Sequence, residues 1–249
     1  MTDHPRKGVV LKSMRGRASL GIVLAAVTAA AISACGGSGG SSSSGNGVAS
    51  KSPNEILTTA VNAAQAARSV HVSGTVQDGS QKIGIDLSIA TGKGASGTVS
   101  EGPASFRLIE AGGNFYIQPN ARFLAKFAHS SAAVQLLRGK WLKGSPTDSS
   151  FQSFSQLTSI KSLMGSLTQN HGTLSKGSTS TVNGQKVIAL HSSRGGIMYV
   201  ATTGKPYPLQ VVKTSGTTTG KVNFSQYNQA FSISAPANSI DLDQLQNAG

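Results

Sequence analysis

The pattern that most constrains the fold lies at residues 70–89, where apolar and polar side chains alternate in two successive runs. Residues 70–76 carry valine at every second position except Gly74, and residues 83–89 carry isoleucine or leucine at every second position. The dipeptide Asp78-Gly79 between the runs is typical of a tight turn. The pattern predicts a β-hairpin with one buried and one polar face.

The same alternation recurs further along the chain. A third strand is expected near 95–100, and residues 106–111 and 114–118 flank Gly112-Gly113 as a second hairpin. Asn183-Gly184 separates residues 179–182 from 185–190, and Asn-Gly is the strongest two-residue hairpin signal. Four more strands are predicted, at 196–202, 209–214, 221–227 and 231–234. Pro236 ends the last of them.

Three segments have helical rather than alternating patterns. Ser52-Pro53-Asn54-Glu55 combines an N-cap, a proline at the first helical position and a capping box, and predicts a helix over about 53–68. The segments 122–137 and 156–168 place their large apolar residues at helical spacing. Residues 140–143, between these two segments, are expected to form a short strand.

These elements together predict an α+β fold. Strands joined by tight turns form an antiparallel sheet, and about three helices cannot cover both faces of so many strands. We therefore expect a strongly curved antiparallel half-barrel of about 10–11 strands, with about three helices on its concave face.

The only cysteine, Cys35, follows a typical secretion signal. Five basic residues precede fifteen uncharged residues, 20–34, a stretch too short to span a bilayer. Ile32-Ser33-Ala34-Cys35 resembles the lipobox of bacterial lipoproteins, which implies cleavage before Cys35 and acylation of its new N-terminus. An ordinary secretory signal with a chance cysteine is the alternative, and Met14 is a second possible start.

This interpretation divides the chain into three parts. Residues 1–34 are a signal peptide, 35–50 are the lipidated cysteine with a Gly/Ser-rich flexible tether, and 51–249 form one domain. The mature protein is expected to be a monomer held at the cell membrane, on its extracytoplasmic side, by its lipid anchor.

Charge and composition argue against a nucleic-acid partner and against an internal disulfide. The chain has 22 Lys+Arg and 9 Asp+Glu, and loss of residues 1–34 leaves a net charge of +9 that is scattered along the sequence. Nucleic acid is not expected as a partner, because no basic stripe is interleaved with aromatic residues. A single cysteine also excludes an internal disulfide.

No motif indicates catalysis. Residues 36–40 match G-x-S-x-G but lie in the predicted tether, and residues 92–97 match G-x-G-x-x-G but connect two predicted strands. The histidines have no metal-ligand spacing, and the carboxylates are dispersed. We therefore expect no enzyme activity, no cofactor and no metal site.

The bulky apolar residues between the two β regions are the remaining functional candidates. They fill a core or line a hollow that receives acyl chains, and the sequence does not decide between the two. The candidates are Phe106, Leu108, Phe115, Ile117, Phe123, Phe127, Trp141, Leu157, Ile160, Leu163, Met164 and Leu167.

Three stretches resemble the actinobacterial lipoproteins of the LppX, LprA, LprF and LprG group, which share the fold of the carriers LolA and LolB. They are 66–72, where a helix runs into a strand at Ser69-Val70-His71, the Asn-Gly hairpin at 181–188, and the strand–turn–strand at 199–209. The resemblance implies an eleven-stranded half-barrel over helices, with a hydrophobic cavity that binds or transfers acylated lipids.

Two functions therefore compete. The first is a lipid-binding or lipid-transfer lipoprotein, which requires a hollow apolar interior. The second is an interaction or stress-sensor module that binds another envelope protein, which requires a filled interior and an exposed apolar patch.

Overall fold

The first helix begins where its capping signals place it. The computed structural model describes residues 45–127, 131–148, 151–242 and 244. Helix α1 (Pro53–Gln65) has Ser52 as its N-cap, and the backbone N–H of Ser52 donates a hydrogen bond of 2.9 Å to the Glu55 carboxylate. Ile56, Leu57, Ala60, Val61 and Ala64 form its buried side.

Twelve strands of the described residues belong to one sheet. The first six are β1 (Ser69–Asp78), β2 (Gln81–Ala90), β3 (Gly94–Glu101), β4 (Ala104–Ala111), β5 (Asn114–Pro119) and β6 (Leu142–Gly144). The others are β7 (Leu174–Val182), β8 (Gln185–Ser192), β9 (Gly196–Ala201), β10 (Pro208–Lys213), β11 (Thr218–Ser225) and β12 (Ile240–Asp241).

The sheet consists of two meanders joined edge to edge. Strands β1–β6 follow one another, as do β7–β11, and β1 pairs with β11 in the middle. All pairs are antiparallel except β12 with β6. The edge strands are β12 and β7, so the sheet is open, and the α+β class with a large antiparallel sheet is confirmed.

The predicted hairpin turns are confirmed by the pairing of the strands. Asn183 and Gly184, between β7 and β8, have φ angles of 49° and 78°. A two-residue turn of this kind needs positive φ at both positions, and asparagine and glycine accept that conformation at low cost. The turn sets the register that starts with Val182 opposite Gln185.

The number of helices differs from the expectation of about three. The segment predicted at 122–137 corresponds to α2 (Ala121–Phe127) and α3 (Ser131–Leu137). The segment predicted at 156–168 corresponds to α5 (Ile160–Leu167), and most of α4 (Gln152–Leu157) precedes it. Ser159 separates α4 from α5 because its backbone is extended, and its hydroxyl caps α5 by accepting a 3.2 Å hydrogen bond from Ser162 N–H. A 3-10 turn at Val48–Ser50 precedes α1.

The strand predicted at 231–234 is wrong. Strand β11 ends at Ser225, and Gln226 and Asn228 then adopt positive φ angles of 51° and 64°, which turn the chain out of the sheet. The backbone N–H of Asn228 donates to the Ser69 carbonyl at 3.0 Å. The chain rejoins the sheet at β12, on the far edge.

One face of the sheet, here called the inner face, carries the core. A row of cross-strand partners shows its position: Phe224, Val72, Leu87, Gly97, Leu108, Ile117 and Leu142 lie opposite one another from β11 to β6. Helices α1 and α5 add Ile56, Ile160 and Met164 to the same cluster. The opposite face is called the outer face below.

The segment before α1 is tied to the domain. Asn46 donates through Nδ2 to the carbonyls of Ala201 and Gly204, at 2.9 and 3.1 Å, and its backbone N–H donates to the Thr202 carbonyl at 2.8 Å. Val48 is buried in the core. The last residues of the segment expected as tether, 46–50, thus belong to the folded domain.

A small cluster on the outer face joins the end of β11 to the beginning of β10. Tyr207 and Tyr227 pack with Val187, Ala201 and Leu209. This outer-face cluster contributes to the stability of the fold and does not line the candidate site.

Candidate functional site

The candidate site is an apolar pocket on the inner face of β8, β9 and β10. Its floor is one row of cross-strand partners, with Leu190 opposite Met198 and Met198 opposite Val211. Leu190 and Met198 are buried, and Val211 is half-buried. The row forms because residues two apart on a strand face the same side and the register aligns them across three strands.

Helices and an edge strand supply the walls. Leu57 comes from α1, Leu167 from the last turn of α5, and Leu174 from the beginning of β7. Together with the floor they enclose about 170 Å³. That is slightly more than the roughly 150 Å³ that accommodates one benzene in an engineered apolar cavity, and less than the roughly 300 Å³ of the smallest typical ligand pockets.

The mouth is one residue pair further along the strands. Ser192, Gly196 and Lys213 each lie two residues from a floor residue on the same strand, and Gly196 is the direct partner of Lys213. Because Gly196 has no side chain, the middle of this row is open. Arg194, on the turn between β8 and β9, completes the mouth.

A loop after α5 forms the opposite lip. The Ser192 hydroxyl donates to the His171 carbonyl, and Ser193 exchanges two hydrogen bonds with Thr173, at 2.9 and 3.0 Å. The exposed residues Gln169 and Asn170 line the pocket from this loop. These hydrogen bonds hold the lip against the β8–β9 turn, so the buried floor ends in a polar, exposed rim.

Most of the twelve sequence candidates fill the core instead of lining this pocket. Phe106, Phe115 and Phe123 lie in an aromatic cluster below β4 and β5, in which Phe106 and Phe123 meet edge to face at 5.2 Å between ring centroids. Phe151 and Phe154, which the sequence analysis did not select, complete the cluster, and Phe115 stacks on Phe151 at 6.0 Å. The rings occupy the space in which a cavity was considered.

The aliphatic candidates belong to the core, and one of them also lines the pocket. Leu108, Ile117, Leu157, Ile160, Leu163 and Met164 belong to the core cluster or pack against it. Leu167 also packs against the core, and it alone of the twelve lines the pocket. The side chain of Phe127 lies outside the described residues, as does Cys35.

Trp141 lies away from the other candidates. The Arg107 guanidinium sits over its ring, 5.2 Å from the centroid. Arg107 is the strand neighbour of the inner-face residue Leu108 and so points to the outer face. Trp141 therefore packs behind the sheet, because it is the residue before Leu142, which occupies the inner-face row.

The pocket is not apparent in the sequence, because the residues that line it have the pattern of ordinary core residues. Leu57, Leu190, Met198 and Val211 follow the apolar spacing of their helix and strands, and nothing in that spacing shows a hollow. The local signal is Gly196, the one residue of β9 without a side chain, on the inner face between Ser192 and Lys213.

Other features of the described residues do not indicate chemistry. No group of three or more His, Cys, Asp or Glu residues there could hold a metal ion. A larger cleft of about 510 Å³ lies at the opposite end of the sheet, but Lys93, Glu110 and Lys161 line it, so it does not suit an acyl chain. Among the helices of the described part, none is both long and apolar enough to cross a bilayer.

Comparison with solved structures identifies the fold. LprF from Mycobacterium bovis superposes with a TM-score of 0.51 at 10% identity, over 75% of this chain and 97% of LprF. The lipoprotein LppX from Mycobacterium tuberculosis gives 0.48 at 14% identity, over 73% and 99%. No family model matches the chain, and no curated protein matches its sequence. The chain thus shares the fold of LprF, a member of the group that the sequence resemblance named.

Proposed function

We propose that this protein is a membrane-anchored extracytoplasmic lipoprotein that binds an acylated lipid through one acyl chain. The pocket on β8, β9 and β10 carries the proposal, because seven apolar side chains line it and its polar groups are at the rim. Apolar surface recognises an acyl chain without directional contacts, and burying the chain is favourable by about 0.8 kcal/mol per CH₂. The fold shared with LprF supports the proposal.

The pocket volume limits what is bound. A space of about 170 Å³ holds a chain segment of roughly six to eight carbons, since about 150 Å³ holds the six carbons of benzene. The bound segment is therefore the end of one chain or a short chain. A longer segment requires displacement of Leu167 and of the loop at 169–171, which form the wall without a strand behind it.

Titration with straight-chain 1-alkanols tests the proposal. The test protein begins at Gly36 and retains every described residue, so it lacks the expected acylation site and keeps the fold. We expect the Kd measured by calorimetry to fall about fourfold per added CH₂ up to about eight carbons, and to level off beyond that length. Native mass spectrometry of the same protein from a lipid-rich bacterial host should show an adduct that organic extraction removes. A protein that purifies empty and binds no alkanol would disprove the proposal.

Acylation of Cys35 requires its own test. The uncharged stretch 20–34 and the lipobox-like Ile32-Ser33-Ala34-Cys35 support it. Cells fed an alkyne-tagged palmitate should incorporate the tag into the full-length chain and not into Cys35→Ala. Equal labelling of the two chains would show that Cys35 is not acylated, and the N-terminal segment would then be interpreted as an ordinary secretory signal.

A second candidate function is the envelope interaction module with a filled core. The aromatic cluster of five phenylalanines favours it, because this half of the interior is filled. Leu136 on α3 is 60% exposed, which is unusual among the large apolar residues that the structure describes. Absence of alkanol binding, together with capture of a specific envelope protein that Leu136→Ser abolishes, would favour this function over lipid binding.

A further inference from the structure

We infer that the pocket selects amphiphiles whose head group is an anionic oxygen acid, a carboxylate or a phosphate monoester, held by Lys213 and Arg194. The inference rests on the proposed function, because it concerns the head group of the chain that the pocket binds. Both cations line the mouth, and the pocket has no Asp or Glu in its lining.

Neither cation has an acidic partner in the described part of the chain. The ion pairs found there join His71 to Asp86, Lys126 to Glu101 and Lys143 to Asp241. Lys213 and Arg194 are both exposed, and their positive charges are therefore available at the rim. A solvated rim of one sign attracts an oppositely charged head group.

The strand geometry places charge and apolar floor at the separation that an amphiphile needs. Lys213 is two residues from Val211 on the same side of β10, which corresponds to about 7 Å along the strand. Gly196 leaves the space beside Lys213 unfilled. A head group at the level of Lys213 would thus have its first methylene groups at the level of the floor.

Arg194 is held over the same opening. Its backbone N–H donates to the Ser192 hydroxyl at 3.0 Å, which fixes the turn. Its side chain crosses Gly172, and Nε lies 3.7 Å from where a Cβ on that glycine would be. The guanidinium is therefore on the loop side of the mouth. Lys213 is on the strand side, and its Nζ lies 3.9 Å from where a Cβ on Gly216, in the turn after β10, would be. A head group between the two side chains would meet a cation from each side.

Four probes with the same eight-carbon tail test the inference in the chain that begins at Gly36. They are 1-octanol, octanoate, octyl phosphate and octyltrimethylammonium, titrated at neutral pH in 50 mM salt. We expect octanoate and octyl phosphate to bind about threefold to tenfold more tightly than octanol, and octyltrimethylammonium more weakly. The ratio of the octanoate Kd to the octyl phosphate Kd shows whether a fatty acid or a phosphorylated lipid is the better match.

Variants assign the effect to the two side chains. The double change Lys213→Gln and Arg194→Gln should remove the preference for the anions, so that octanoate, octyl phosphate and octanol bind with similar Kd values. A cooperative thermal unfolding transition shows that the variant is folded. Lys205→Gln is the matched control, because Lys205 is exposed on the turn between β9 and β10, at the other end of the strands. Lys205→Gln should change neither the octanol Kd nor the Kd of the two anions.

The outcomes separate the two proposals. Equal binding of all four probes, or a preference for anions that survives the double change, overturns this inference and leaves acyl binding in place. Failure of all four probes to bind overturns the proposed function, and the inference with it.

Discussion

Tyr207 and Tyr227 stack face to face, with ring centroids 3.9 Å apart and planes 7° from parallel. The Tyr227 hydroxyl donates to the Pro208 carbonyl at 2.8 Å, and Asn228 Nδ2 donates to the Tyr207 hydroxyl at 2.7 Å. The pair therefore fastens the turn after β11 to the beginning of β10 on the outer face. Burial, with a smaller contribution from Tyr207, raises the pKa of Tyr227 well above its ordinary value.

The raised pKa of Tyr227 predicts a loss of stability in alkali. Above about pH 10 an unfolded tyrosine loses its proton while the folded one keeps it, so the unfolded state binds fewer protons and the free energy of unfolding falls as pH rises. The ionisation of Tyr227 in the unfolded state should lower the free energy of unfolding by about 1.4 kcal/mol for each pH unit at the alkaline end of the range. Urea unfolding of the wild-type protein and of Tyr227→Phe between pH 8 and 11 measures it.

Tyr227→Phe should show the smaller alkaline slope. At pH 8 it should also be less stable by about 1 kcal/mol, since the Pro208 carbonyl loses its donor. Tyr199→Phe controls for the removal of a second phenol from the same outer-face cluster. Identical slopes for Tyr227→Phe and the wild type would show that Tyr227 ionises in the folded protein.

The aromatic cluster should be necessary for stability and unnecessary for acyl binding. Phe115 is fully buried against Phe151 and Phe154, so Phe115→Ala should lower the free energy of unfolding by about 3–5 kcal/mol. The octanol Kd of the folded fraction should stay within about twofold, because Phe115 does not line the pocket. Strong loss of binding in a folded Phe115→Ala protein would instead place the acyl chain among the rings.

Gly196 should control access to the pocket. A Cβ on Gly196 would meet its nearest neighbour, Ser192 Cβ, at 3.7 Å, which is an ordinary contact, so a Cβ fits there without moving the backbone. Gly196→Leu should fill the mouth and raise the octanol Kd by about tenfold or more, equivalent to losing two buried CH₂ groups. Gly196→Ala is the matched control and should bind nearly as well as the wild type. Full binding by folded Gly196→Leu would show that the chain enters elsewhere.

Asn46 should hold the segment before α1 on the domain. Asn46→Ala removes two hydrogen bonds to β9 and its turn, and a third from the Val48 N–H at 3.1 Å. We expect a loss of about 1–3 kcal/mol in the free energy of unfolding, and faster hydrogen exchange confined to residues 46–51. Asn54→Ala, on the exposed side of α1, controls for the loss of an amide side chain. Unchanged exchange at 46–51 in Asn46→Ala would mean that Val48 alone holds the segment.

The local parts of the fold were predictable because they depend on neighbouring residues. Alternation and the turn at Asn183-Gly184 predict hairpins, and the capping residues at Ser52 and Glu55 predict where α1 begins. The pairing of β1 with β11 was not predictable in the same way. It sets His71 opposite Ser225, far away in sequence, and no turn specifies that register.

The site was less predictable than the fold for a physical reason. Side-chain bulk identifies residues that become buried, and Phe106 and Phe115 are buried. Bulky aromatic rings also fill the space around them, so the hollow occurs where smaller aliphatic side chains and Gly196 meet the end of α5. A hollow depends on how opposing elements are spaced, and that spacing has no periodicity in the sequence.

The attachment of Asn46 beside Thr202 has a consequence for the direction in which this protein faces. The turn at 202–207 and the mouth at Arg194 lie at opposite ends of β8 and β9, about 25 Å apart along the strands. With an acyl anchor at Cys35, as proposed, eleven peptide steps separate lipid from domain and span at most about 40 Å. Because this reach exceeds the separation of about 25 Å, an anchor at Cys35 would leave the mouth free to face either the membrane or the layers beyond it, so one attached protein could both load and deliver a lipid.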